Sequence, residues 1–201
     1  MKNGIRLVGY SIFIIFIMTG CSHKISIDPK LENINSIKVD KKMDVNVGYY
    51  ISKELQNKKV VSSGGGGDKI DYTPYSDTED ALNVVLMKIF NKVYKINMLE
   101  DKKYISDKNI KYIFIPTIKT DSSSESLVTW PPTKFTIELK CKAIDSSNKT
   151  IWEETINSEG KAEYDEFKYD FALSARIATE KAFKTMLIKL KETDKFKIVT
   201  K

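Results

Sequence analysis

The sequence predicts an α+β fold in two layers, and three observations carry that expectation. Residues 77–97 and 170–191 repeat apolar side chains at spacings of three and four, the signature of amphipathic helices. Residues 135–144 and 150–158 alternate apolar and polar side chains on either side of the turn-rich run 145–149 (DSSNK), which reads as a β-hairpin. Shorter strand-like runs at 34–39, 43–51 and 110–119 bring the count to about five strands. The expected architecture is one mainly antiparallel sheet with both helices packed on one face.

Taken in order, the chain opens on a leader. Lys2 and Arg6 precede residues 7–20, 14 uncharged positions rich in Ile and Phe. That run is short for a membrane span, which needs about 20 apolar residues. Charge, apolar run and small residues form the pattern of a cleaved secretory signal. The run ends in Met18-Thr19-Gly20-Cys21, which resembles the lipobox of bacterial lipoproteins, with Met18 where Leu is commoner. The resemblance implies a lipid-bearing Cys21 as first mature residue and attachment to a membrane outside the cytoplasm. Ser22 in place of Asp implies the outer membrane, facing the periplasm.

Residues 21–33, with Pro29, read as a lipidated tether, and residues 34–201 as a single domain. Within it, 53–75 is polar, holds Gly64 to Gly67, and reads as a flexible loop. Helix 77–97 begins with acidic residues that suit the positive end of its dipole. It carries Ala81, Leu82, Val85, Leu86, Ile89, Phe90, Val93 and Ile96 as its stripe. In strand 110–119, Pro116 marks an edge or a bulge. Strand 135–144 sets Phe135, Ile137, Leu139, Cys141 and Ala143 on one face. Helix 170–191 carries Ala175, Ala178 and Ala182, small enough for close approach to a neighbour. Residues 196–199 read as a short edge strand.

Composition excludes several classes of function. Lys2 and Arg6 leave with the leader, so the mature chain has 31 basic and 27 acidic residues, a net charge of +4 without a basic stripe for nucleic acid. Cys21 is committed to lipid, so Cys141 has no partner for a disulfide and reads as a small buried hydrophobe. His23 is the only histidine and falls in the tether, which argues against a triad or a zinc site. The run 62–69 (SSGGGGDK) has the glycines of a phosphate loop but no Gly-Lys-Ser/Thr, and its helix starts too late. Neighbours Glu153 and Glu154 point to opposite faces of a strand, and Glu163, Asp165 and Glu166 read as a solvated connector. No catalytic residue, metal ligand or cofactor is assigned.

Aromatic residues offer the better lead. Tyr49, Tyr50, Tyr72 and Tyr75 flank the Gly-rich run and Trp130 lies in another loop, a composition suited to partner binding. The Cys-anchored leader, early helix, hairpin and Ala-rich last helix also resemble small α+β envelope lipoproteins of the YajG and LPS-assembly-lipoprotein types. That resemblance implies a non-enzymatic binding or assembly role with an envelope-protein partner. The alternative is a lipid or glycan carrier whose cleft is lined by Leu82, Leu86, Ile89 and Phe90.

Overall fold

The computed structural model describes residues 21–196; the expected secretion signal and the expected strand at 196–199, apart from Phe196, lie outside the described residues. The elements are β1 (Ser22–Lys24), α1 (Leu31–Asn35), β2 (Met43–Tyr50), α2 (Lys53–Gln56), β3 (Val60–Ser63), β4 (Lys69–Tyr72) and α3 (Pro74–Ile89). There follow β5 (Phe90–Ile96), α4 (Lys102–Asp107), β6 (Ile110–Ser123), β7 (Lys134–Ile144), β8 (Thr150–Lys161), α5 (Tyr164–Phe167) and α6 (Leu173–Glu192).

The fold is α+β, with two sheets where one was expected. The larger has the order β5-β2-β6-β7-β8 and the smaller β1-β4-β3. The larger sheet is mixed, not mainly antiparallel. β2 runs parallel to both β5 and β6, while β6, β7 and β8 are antiparallel neighbours. Parallel neighbours need a crossover, and α3 and α4 carry the chain back in the two cases.

α3 and α6 pack on each other and on the sheet. Their stripes join the inward residues of the strands in one continuous core that holds Leu82, Leu86, Phe114, Phe135, Leu139 and Phe183. Helix α6 comes close to β8 at one point in particular. A Cβ on Gly160 would run into the Ser174 carbonyl oxygen and the Ala178 nitrogen. Glycine on the strand and small residues on the helix permit the same approach. A second, smaller cluster of Ile96, Ile110, Ile113 and Ile144 packs with Tyr50 and with Tyr104 of α4.

Four expected boundaries move. Residues 34–39 are not a strand: α1 covers 31–35 and buries Ile34. Helix α3 starts at Pro74, whose fixed φ suits a first helical position, and stops at Ile89. Residues 90–96, read as helix, form β5, because Phe90, Val93, Tyr94 and Ile96 are strand formers that pair with β2. The segment 53–75 is mostly ordered as α2 and the β3–β4 hairpin.

Pro116 sits in an interior strand, with β2 ending alongside Phe114. It shares parity with Ile118, whose N–H leaves the ladder and donates to the Tyr75 hydroxyl at 3.0 Å. The missing donor therefore falls on the half-open side of β6. Among the described residues no helix is long and apolar enough to cross a membrane.

Candidate functional site

The largest departure from expectation lies immediately after Cys21. The segment 21–33 is not a free tether. Its first residues form β1, parallel to β4 in the register Ser22↔Lys69, His23↔Ile70, Lys24↔Asp71. Ile25 and Ile27 are buried. The Ser22 hydroxyl donates to Asp71 Oδ1 at 2.7 Å, and the Ile25 N–H donates to the Asp71 carbonyl at 3.0 Å. The Ile27 N–H donates to Asp77 Oδ2 at 3.2 Å, and its carbonyl accepts from the Thr179 hydroxyl at 2.8 Å. Further along, Arg176 pairs with Asp28 at 3.1 Å and Asn33 donates to Glu180 at 2.9 Å. Polar composition hid two buried isoleucines, each worth about 1.5–3 kcal/mol of apolar burial.

Docking of β1 fixes the position of Cys21. Its side chain is exposed, while its carbonyl already accepts from the Lys69 N–H at 3.0 Å. Cys21 thus lies beside the tip of the β3–β4 hairpin.

That tip is fastened to the loop of residues 124–133. The Gly65 N–H donates to the Trp130 carbonyl at 2.8 Å and the Gly66 N–H to the Ser126 carbonyl at 3.2 Å. A Cβ on Gly65 would meet the Thr129 carbonyl oxygen, so only glycine permits this approach. With these N–H groups taken up by carbonyls, the run cannot cradle a phosphate. Its glycines serve a loop-to-loop contact.

His23 belongs to the same contact and is not a solvated tether residue. Its ring stacks on Trp130, with centroids 4.1 Å apart and planes 12° apart, and Nε2 lies 2.9 Å from Asp68 Oδ2. Trp130 in turn packs on Phe171 at 4.9 Å. Behind the contact, a part-buried set of hydroxyl groups ties the two sheets together. Ser62 Oγ lies 2.7 Å from Ser122 Oγ, and Tyr72 OH lies 2.7 Å from Thr120 Oγ1.

Three of the five aromatic candidates prove to be core residues. Tyr49, Tyr72 and Tyr75 are buried and offer no ring to a partner. Their hydroxyls explain why tyrosine stands there, since each reaches a polar group at the edge of the core. Tyr49 donates to Glu79 Oε1 at 3.0 Å, and Glu79 also receives Gln56 and Lys95, both at 2.6 Å. Burial, and then the Glu79 carboxylate, push the Tyr49 hydroxyl well above the usual tyrosine range. Tyr50 is half-buried in the smaller cluster and Trp130 is half-buried under Phe171. The sequence signal missed here was the pair Leu127 and Val128, both almost fully exposed.

Cys141 is fully buried, and burial pushes its thiol well above the ordinary range, which holds it protonated. Asp71 is held below the usual carboxylate range by the Lys59 ammonium at 2.9 Å and by the Ser22 hydroxyl. Of the acidic connector, Glu163 and Glu166 cap α5 reciprocally, and Asp165 pairs with Lys168 at 3.1 Å. Among the described residues no group of three or more His, Cys, Asp and Glu side chains could hold a metal ion.

No protein-family model matches the chain. No curated protein matches it in sequence. Solved structures resemble it loosely. A DUF330-family protein of Xanthomonas campestris is 14% identical over 86% of this chain and 92% of that one, with a TM-score of 0.40. A homologue of a neuraminyllactose-binding hemagglutinin from Helicobacter pylori is 13% identical over 80% and 91%, at 0.44. A chain described as a lipoprotein of Caulobacter crescentus CB15 is 8% identical over 72% and 87%, at 0.37. Likenesses this loose fix neither a shared fold nor a shared function.

Proposed function

We propose that the protein is a lipid-anchored envelope protein, acylated on Cys21, held at the outer membrane facing the periplasm, and acting as a non-enzymatic binding or assembly accessory of an envelope complex. The observation that carries this reading is the run from Lys2 to Cys21, with its basic start, 14 uncharged residues and lipobox-like end. It is supported by the exposed position of Cys21 beside the first strand of the domain. Multiple acyl chains on one residue anchor firmly, where a single chain holds only marginally.

The non-enzymatic part rests on what the reactive side chains are doing. The only histidine is taken up in a ring stack and an ion pair, and Cys141 is sealed in the core. The carrier reading loses its lining: Leu82, Leu86, Ile89 and Phe90 are packed in the main core. The larger surface grooves are lined by other residues.

Replacing Cys21 by Ser tests the anchor. We expect loss of acyl labelling and release from the membrane fraction; unchanged labelling would refute it. Crosslinking pull-down of the wild type from envelopes tests the partner. One dominant envelope protein supports the accessory role, and co-purifying lipid or glycan without a protein argues against it.

A further inference from the structure

We propose that the loop of residues 124–133 enters the membrane surface next to the acylated Cys21, led by Leu127 and Val128 with Phe171 packed beside it. This deepens the lipoprotein reading above and rests on it. Leu127 and Val128 are 91% and 90% exposed, neighbours in sequence, and stand at a loop tip, the place where a soluble surface least needs two large apolar side chains. Phe171 is 49% exposed and joins the loop through Trp130. An exposed aromatic ring packed beside an aliphatic tip suits the boundary between headgroups and acyl chains.

The occupant is fixed by position. Cys21 has no slack, because Ser22 is already in register with Lys69 and the Cys21 carbonyl is bonded to the same residue. The hairpin tip beyond Lys69 is bonded to the loop at Gly65–Trp130 and Gly66–Ser126. Anchoring Cys21 therefore brings the loop to the lipid without any change of shape. No other partner needs to be brought to this end.

Four of the loop's backbone N–H groups are already bonded to side-chain hydroxyls, which lowers the cost of leaving water. The N–H groups of Glu125, Ser126, Val128 and Thr129 donate to Thr133 Oγ1, Ser124 Oγ, Ser126 Oγ and Ser126 Oγ at 3.1, 3.1, 3.3 and 3.1 Å. Backbone donors left open would oppose entry into lipid.

The test uses the full lipidated protein reconstituted in vesicles of phosphatidylethanolamine and phosphatidylglycerol. An environment-sensitive fluorophore is attached at Leu127→Cys in one sample and at Ser146→Cys in another. The Cys21 sulfur is blocked by lipid and Cys141 is buried, so labelling is confined to the new thiol. Ser146 is exposed in the turn at the far end of β7, whose 11 residues span about 35 Å. We expect the fluorophore at 127 to shift to the blue and to be quenched severalfold by nitroxide-labelled acyl chains, and the one at 146 to stay in water. A fluorophore at 127 that remains in water overturns the inference. One that shifts to the blue without lipid quenching also overturns it, because the loop is then covered by protein, whether a second copy or another chain. Acyl labelling of Cys21 is read on the same samples. A missing label sinks both readings, whereas an intact label with a wet loop sinks only this one.

Discussion

At the scale of single residues, small differences decide how the elements meet. Gly160 lies where α6 crosses β8 with no room for a methyl group, since the obstacles are backbone atoms of Ser174 and Ala178. Gly160→Ala should destabilise the protein by about 1–3 kcal/mol, the usual cost of overpacking a close contact. Urea denaturation reads this directly, and an unchanged midpoint would mean that α6 has freedom to back away. Asp71 carries the pH dependence of β1. Its carboxyl is lowered in the folded protein, first by Lys59 and then by Ser22, so its contribution is complete above the unfolded value of about 3.9 and fades as pH falls through the lower folded value. Amide exchange at Ile25, whose N–H is bonded to the Asp71 carbonyl, should therefore lose protection in acid. Asp71→Asn should show weakened protection already at neutral pH and a flatter response to acid. An identical acid response in the variant would locate the titration elsewhere.

At the scale of elements, the strands β6, β7 and β8 and the helix α6 were legible because their periods run over ten residues or more. In β7 the inward set Phe135, Ile137, Leu139, Cys141 and Ala143 is wholly buried, as its alternation predicts. Its outward residues form cross-strand pairs such as Lys140–Glu153 at 2.9 Å, on a surface where such pairs contribute little. The segment 90–96 was misread because Phe90, Val93 and Ile96 satisfy a helical stripe, and only pairing with β2 decides for a strand. Segment 21–33 was misread because Ser22, His23, Lys24 and Asp28 look solvated one at a time. The partners of Ser22, His23 and Asp28 are Asp71 of β4, Asp68 of the hairpin tip and Arg176 of α6, far away in sequence, which no local pattern can show. The tyrosines failed as partner sites for the same reason, since their burial depends on elements remote in sequence. A prediction belongs to this scale. Ile27→Ala should cost about 2–5 kcal/mol, as for other fully buried isoleucines. It should also open residues 21–33 to protease before the rest of the domain unfolds. Simultaneous cleavage throughout the chain would show that β1 and α1 unfold only with the whole.

At the scale of the whole molecule, the consequence of docking residues 22–24 on the sheet is orientation. A lipoprotein on a long tether samples all directions, whereas here the sheet begins one residue after Cys21, the proposed anchor. If Cys21 carries lipid as proposed, the anchor sets which end of the domain faces the membrane, and the far end of β7 and β8 is the end left for a partner. Inserting a flexible Gly/Ser segment of about ten residues between Cys21 and Ser22, with a serine kept directly after the cysteine, separates anchoring from orientation. Such a segment spans roughly 18 Å on average, enough to lift the domain off the headgroups. Acylation and membrane retention should survive, and β1 should remain docked, since every contact but the Cys21 carbonyl bond to Lys69 begins at Ser22 and the inserted residue before Ser22 offers a carbonyl in its place. If anchoring without slack is what holds the loop in lipid, the quenching of a fluorophore at 127 should fall toward that of one at 146. Capture of an envelope partner should weaken as well, because the far end is no longer presented at a fixed height. Unchanged quenching with an intact insert would mean that Leu127 and Val128 hold the membrane by themselves, with orientation arising from the loop and not from the anchor.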